Sequence, residues 1–314
     1  MPAHANPTIR SGAMDLAPAL SMGPLSLPIE GRGEDLTYRV TAPAEGGSLP
    51  VILFSHGNGQ SLYTYGPLVN YWASHGFAVI NPTHLDSRMI ALAADDPRRP
   101  QLWRHREQDI LALLDNLDAI EEAVAFIKGR IDRDRVAVAG HSWGAQTASM
   151  FLGATHPDPD DGSTVSLSDG RVKAGVLFAV PGTGGDNLSE FATQNFPFMH
   201  PDFSGLQTPT LVVAGENDNG AMTVRGPDWW REAYDLSPGA KALFEVRGGE
   251  HSLGGIPNYE ARETTDEDPA RVAAVQSLST AFLRSTLSGS DEAWRSAVSD
   301  VTDAPVPQGT IEQK

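Results

Sequence analysis

The chain has 314 residues, 40% hydrophobic and 20% charged, enough for one large α/β core or two smaller domains of an ordinary soluble globular protein. Its 40 acidic and 23 basic side chains give a formal net charge of -17, which argues against nucleic-acid phosphates and anionic membranes as partners. Cysteine is absent, which excludes disulfides, thiolate metal sites and a cysteine nucleophile.

Residues 1–23 are rich in Pro, Ala, Gly and Ser and read as an irregular arm. They contain no basic region followed by an apolar core, so no signal peptide is visible and a cytoplasmic location is favoured. No apolar run approaches the ~20 residues of a membrane span. Segments 25–28 and 36–41 flank a Glu-Gly-Arg-Gly-Glu-Asp turn and predict a hairpin. Residues 51–55 (Val-Ile-Leu-Phe-Ser) are a continuous apolar strand, expected at the centre of a sheet, and run into His56-Gly57-Asn58-Gly59. A helix is expected over 65–74 and a strand over 77–80; 85–106 reads as irregular and charged. Between 107 and 128, Ile110, Leu113, Leu114, Leu117, Ile120, Val124 and Ile127 fall at helical spacing.

The next stretch, Val136-Ala137-Val138-Ala139-Gly140-His141-Ser142-Trp143-Gly144, reads as strand, sharp turn and helix. A G-x-S-x-G pattern at such a junction is a nucleophile elbow. The turn strains the serine backbone, and strand and helix approach so closely that Gly140 and Gly144 must be small. The first amides of the helix then point at the space the serine hydroxyl occupies. Beyond it, 156–171 is a polar surface loop or small hairpin, 172–180 a buried strand, and 181–207 a long connection carrying Phe196, Phe198 and Met199. Strand 210–214 ends in Gly215-Glu216-Asn217-Asp218, and a helix is expected from about Asp228 with Trp229 and Trp230. Strand 242–246 ends in Gly248-Gly249-Glu250-His251, and 269–287 is an amphipathic helix. Alternating strands and helices predict one doubly wound, mainly parallel sheet with antiparallel N-terminal strands, spanning 24–288, followed by a polar tail over 289–314. Ligands of such sheets sit at the carboxyl ends of the strands, where the suggestive groups fall.

A serine needs a positioned base, and the base needs a carboxylate to hold its tautomer. His251, after the last strand, is the candidate base. His141 is expected to point away and pack, and His56 to orient its loop. Asp218 is the favoured acid, with Glu216 as the alternative; Glu250 should point elsewhere. The oxyanion donors are the backbone amides of Trp143 and of Asn58, with Gly59 next. No metal and no cofactor is called for. Trp143, Phe196, Phe198 and Met222 are expected to line an apolar substrate pocket, with Trp229 and Trp230 near the same rim.

The order Ser142, Asp218, His251 and the motifs Ser-His-Gly-Asn, Gly-His-Ser-Trp-Gly, Gly-Glu-Asn-Asp and Gly-Glu-His resemble the α/β-hydrolase superfamily over roughly residues 36–287. Residues 51–57 and 72–80 look more narrowly like the chlorophyllase, platelet-activating-factor acetylhydrolase and polyester-hydrolase (cutinase-like) branch. In that branch the second oxyanion amide follows the His-Gly or Pro-Gly pair, which maps onto Asn58. The resemblance implies an α/β-hydrolase fold with no large cap domain and a serine hydrolase acting on small-molecule carboxylic esters with a hydrophobic portion. Perhydrolase, haloperoxidase or acyl-transfer chemistry on the same triad, and a non-catalytic binding module, are the alternatives.

Overall fold

The computed structural model describes residues 17–258 and 264–314. In chain order the first half contains β1 (Ala19–Leu27), β2 (Leu36–Pro43), β3 (Leu49–Ser55), α1 (Gly66–Ser74), β4 (Ala78–Thr83), α2 (Leu102–Asp115), α3 (Leu117–Ala123), β5 (Ile131–His141) and α4 (Trp143–Leu152). The second half contains β6 (Thr155–Pro157), β7 (Thr164–Ser166), β8 (Val172–Phe178), α5 (Glu190–Asn195), β9 (Thr210–Gly215), α6 (Glu232–Leu236), β10 (Ala240–Val246), α7 (Pro269–Ser288), α8 (Glu292–Thr302) and β11 (Gly309–Gln313). Among the described residues the main sheet has the order β1-β2-β4-β3-β5-β8-β9-β10-β11. The run β4-β3-β5-β8-β9-β10 is parallel; β1, β2 and β11 join antiparallel at the edges. This is the expected α/β-hydrolase architecture, and among the described residues no cap domain covers the sheet.

β3 shows why its sequence is apolar without interruption. Val51 and Leu53 face a core built with Ile110, Leu113 and Phe151, on the α2–α4 side. Ile52 and Phe54 face the opposite core with Leu68, Trp72, Val275 and Leu278, on the α1–α7 side. A strand buried on both faces cannot alternate.

Four expectations are corrected. The irregular arm gives way to strand at Ala19, paired to β2 from Ala19↔Pro43; residues 1–16 lie outside the described residues. The stripe at 107–128 belongs to two helices, and α2 begins earlier, at Leu102. The break falls at Asn116, whose Nδ2 donates to the Ala112 carbonyl at 2.8 Å, a local bond that competes with helix continuation. The tail is ordered structure: α8 buries Ala297 and Val301, and β11 pairs with β10 from Ala242↔Gln313 to Val246↔Gly309. Finally, Trp229 and Trp230 lie in a 3₁₀ turn before α6 and are fully buried, so neither forms a rim.

Candidate active site

The elbow is built as its glycines require. Ser142 takes φ 57°, ψ -124°, a conformation an L-residue adopts only when its surroundings force it. A Cβ on Gly140 would lie 2.2 Å from the Gly144 carbonyl oxygen, and one on Gly144 would lie 2.0 Å from that of Ser55. The Ser142 amide donates to the Phe178 carbonyl at 2.9 Å, which pins the turn between β5 and β8. The side chain stays partly open at the N-terminus of α4.

Asp218 and His251 leave the ends of the neighbouring strands β9 and β10 and meet. His251 Nδ1–H donates to Asp218 Oδ2 at 2.8 Å. The carboxylate is 1% exposed while the imidazole is 38% exposed, so its other nitrogen is open to a reacting group. With Nδ1–H donated to Asp218, a neutral imidazole here keeps its lone pair on Nε2. Two backbone bonds hold the loops in register: Asn217 N–H to Gly249 O at 2.8 Å and Glu216 N–H to Val246 O at 3.0 Å. Trp230 supports both partners. Its Nε1–H donates to the Asp218 carbonyl at 2.8 Å, and its ring lies 4.8 Å from that of His251. Glu216 is exposed and accepts from the Gly248 amide at 2.7 Å, so it braces the loop and stays away from the imidazole. Glu250 turns to Thr265, as expected of it.

The loop after β3 is held at every residue but one. Gly57 N–H donates to the Tyr65 hydroxyl at 3.0 Å and Gly59 N–H to Asp86 Oδ2 at 2.8 Å. Among the described residues, the Asn58 amide has no protein acceptor. His56 braces this loop, as expected, since its Nδ1–H donates to the Gly57 carbonyl at 2.7 Å. Its Nε2 accepts the His84 amide at 3.0 Å, and a nitrogen that accepts from an N–H cannot carry a proton. Burial, reinforced by His84 and Arg106, holds the His56 pKa well below the usual range.

The chlorophyllase family model matches residues 34–159, from β2 through the elbow to β6. The chain is 31% identical over 181 residues to chlorophyllase type 0 of Chenopodium album, covering 55% of this chain and 46% of that protein. It is 24% identical over 292 residues to chloroplastic chlorophyllase-1 of Citrus unshiu, covering 87% and 79%. It is 28% identical over 141 residues to platelet-activating factor acetylhydrolase of Cavia porcellus, covering 34% and 32%. The match thus spans about half the length of the Chenopodium protein and a third of the guinea-pig one. The chain has an α/β-hydrolase fold.

In this α/β-hydrolase fold a cavity of about 840 Å³ opens beside Asn58 and Trp143. One wall is aromatic: Trp143 stacks on Phe198 at 5.1 Å and meets Phe196 edge-on at 5.5 Å. The lining also includes Arg88, Arg99, Asp160 and Gln194, so the pocket expected to be apolar is mixed. Arg88 and Arg99 lie in the segment after β4, which sequence periodicity leaves blank. Met222 packs against the Trp143 and Phe198 cluster and does not line the cavity.

Three groups around the site escape sequence reasoning. His141 packs, as expected, but also makes specific bonds: Nε2–H donates to the His251 carbonyl at 2.7 Å, and Nδ1 accepts from the Tyr65 hydroxyl at 2.9 Å. Burial, helped by the neighbouring His251, pushes its pKa down to about 3. Arg106 is fully buried against the loop after β3. Its one sequence signal is a charge three residues from Trp103 and four from Ile110, on the apolar stripe of α2. The third group is Ser55, His84 and Asp109, a second hydrogen-bonded Ser-His-Asp row at 3.0 and 2.9 Å. All three are 0% exposed and Asp109 is also forked by Arg32, so this row is a brace under β3 that no ester reaches.

Proposed function

We propose that this chain hydrolyses carboxylic esters through an acyl-enzyme on Ser142. The observation that carries the reading is the His251–Asp218 pair at 2.8 Å, tied through the His141–His251 hydrogen bond to the residue before a serine held at positive φ. The similar proteins bear the names of ester hydrolases, which supports the same class here.

In this reading Ser142 Oγ attacks the ester carbonyl carbon as His251 Nε2 takes the hydroxyl proton. Asp218 remains a carboxylate, fixes the tautomer and stabilises the imidazolium. The Asn58 and Trp143 amides donate to the tetrahedral oxyanion. Collapse breaks the bond to the alcohol oxygen, which leaves with the proton from Nε2. Water then attacks the acyl carbon and gives a proton to Nε2; that proton returns to Ser142 Oγ as the acid departs. The substrate presents a hydrophobic portion to Trp143, Phe196 and Phe198 and a polar portion to Arg88, Arg99, Asp160 and Gln194.

The test is turnover of p-nitrophenyl butyrate together with covalent labelling by a fluorophosphonate. Wild type should turn over and carry the label on Ser142. Ser142→Ala should lose both, with turnover falling by about 10⁶ as when a triad acts as a unit. A folded Ser142→Ala protein that keeps its activity would sink the mechanism.

A further inference from the structure

We infer that Arg106, anchored by Asp86, is the positioning residue that aims both oxyanion donors of the proposed site. The inference rests on the ester-hydrolase reading and concerns a residue outside the triad.

A peptide unit is planar, so the carbonyl of one residue and the amide of the next point in opposite directions. The Asn58 amide therefore goes wherever the Gly57 carbonyl does not. That carbonyl accepts from three donors, His56 Nδ1–H at 2.7 Å, Arg106 Nη2–H at 3.2 Å and the Gln60 amide, which closes the turn, at 3.2 Å. Arg106 also holds the preceding carbonyl, with Nη1–H donating to His56 O at 2.8 Å. With both carbonyls drawn toward the guanidinium, the Asn58 amide is directed outward, on the side where Asn58 lines the cavity.

The same guanidinium reaches the second donor. Its central carbon lies 4.4 Å from the centre of the Trp143 ring, a cation–π contact with the residue whose amide opens α4. Asp86 fixes the plane of the fork. Its two oxygens accept Arg106 Nε–H and Nη2–H at 2.8 Å each, and one also accepts the Gly59 amide at 2.8 Å. Burial raises the Asp86 pKa, but the Arg106 charge and hydrogen bonds outweigh it and hold the carboxylate ionised far into acid.

A buried ion pair is weak evidence for stability, because well-packed apolar residues would do as well. Its use here is geometric. Three backbone groups of residues 56–59 and the Trp143 ring take their positions from one rigid fork. A lysine carries the charge without the planar fork and cannot reproduce this.

The test compares wild type, Arg106→Lys and Asp86→Asn. Each is normalised to its active-site concentration by the endpoint of fluorophosphonate titration. Losing one oxyanion donor costs about 10²–10³ in kcat, so Arg106→Lys should lose about 10² in kcat. KM for p-nitrophenyl butyrate should stay within about threefold, and affinity for n-butylboronic acid, which mimics the tetrahedral state, should fall in parallel with kcat/KM. A purely structural arginine would lower the titratable fraction and leave kcat per site and boronate affinity intact; that result overturns the inference, as does a loss confined to KM. Should Arg106→Lys not fold, Asp86→Asn decides: about a tenfold loss in kcat per site with KM held supports the fork, and an unchanged kcat overturns it. Wild type that neither turns over the ester nor takes the label at Ser142 overturns the ester-hydrolase reading instead.

Discussion

His141 and His251 are joined by a hydrogen bond from an imidazole to a backbone: Nε2–H of His141 donates to the carbonyl of His251 at 2.7 Å. That carbonyl can only accept, so the His141 proton sits on Nε2 and Nδ1 must accept. The Tyr65 hydroxyl donates to it at 2.9 Å and in turn accepts the Gly57 amide at 3.0 Å. One directed chain therefore links the loop of the proposed base to the loop of the proposed oxyanion donor, through the residue before Ser142. Tyr65→Phe would leave the Gly57 amide and His141 Nδ1 buried without partners. The expected cost is about 1–3 kcal/mol of stability, read as a lower urea midpoint with an unchanged m-value.

Asp218 and Glu216 are both carboxylates in the turn after β9, and their surroundings rank them. Asp218 is buried and touches the imidazole; Glu216 is exposed and touches the Gly248 amide. Asp218→Asn should lower kcat by about 10⁴ through the wrong imidazole tautomer. Glu216→Gln retains an acceptor for Gly248 and should keep kcat within about threefold. Steady-state kinetics on p-nitrophenyl butyrate check the ranking, and the reverse order would move the acid to Glu216.

Acid sensitivity follows from the buried neutral histidines. His56 is held neutral by accepting an amide, and His141 is pushed down to about 3 by burial and by His251. Both have folded-state pKa values below the unfolded value of about 6.5. The unfolded chain therefore binds more protons once the pH drops below about 6.5, and stability falls as the pH falls toward 3. Each group contributes a slope of about 1.4 kcal/mol per pH unit inside that window. Asp109, raised to about 6 by burial against the pull of Arg32, works in the opposite sense below pH 6. Urea melts between pH 7.5 and 4.5 should show stability falling with pH. His141→Gln should have a shallower dependence by about one proton; an equal slope would place the proton uptake elsewhere.

What the sequence reveals of this site is what is local. The elbow is legible in five consecutive residues because Gly140 answers a contact with Gly144 itself, while Gly144 answers the Ser55 carbonyl at the end of β3. The Asp218 and His251 loops are recognisable because each follows a run of buried strand. Arg106 and Tyr65 are not legible in that way, since their partners His56 and His141 lie 50 and 76 residues distant. A buried arginine on a helix reads as surface until the loop that it grips is folded over it. β11 escapes for a related reason: a short polar strand at a sheet edge buries little, and its register comes from β10.

The mixed cavity sets the last prediction. Trp143 stacks on Phe198 and meets Phe196 edge-on to form an aromatic wall, and the Arg106 guanidinium lies over the Trp143 ring. An acyl chain lying on that wall gains roughly 0.8 kcal/mol per buried methylene. Realised in the transition state, this is about fourfold in kcat/KM per methylene. Activity on p-nitrophenyl esters should therefore climb from acetate to butyrate or hexanoate and flatten where the wall ends. Phe198→Ala removes the ring that stacks on Trp143 and opens the wall at its buried end. The short esters should then lose kcat/KM while the optimum moves to longer chains, because a longer acyl group refills the space. A flat series in wild type, with the same profile in Phe198→Ala, would show that the acyl chain does not lie on this wall.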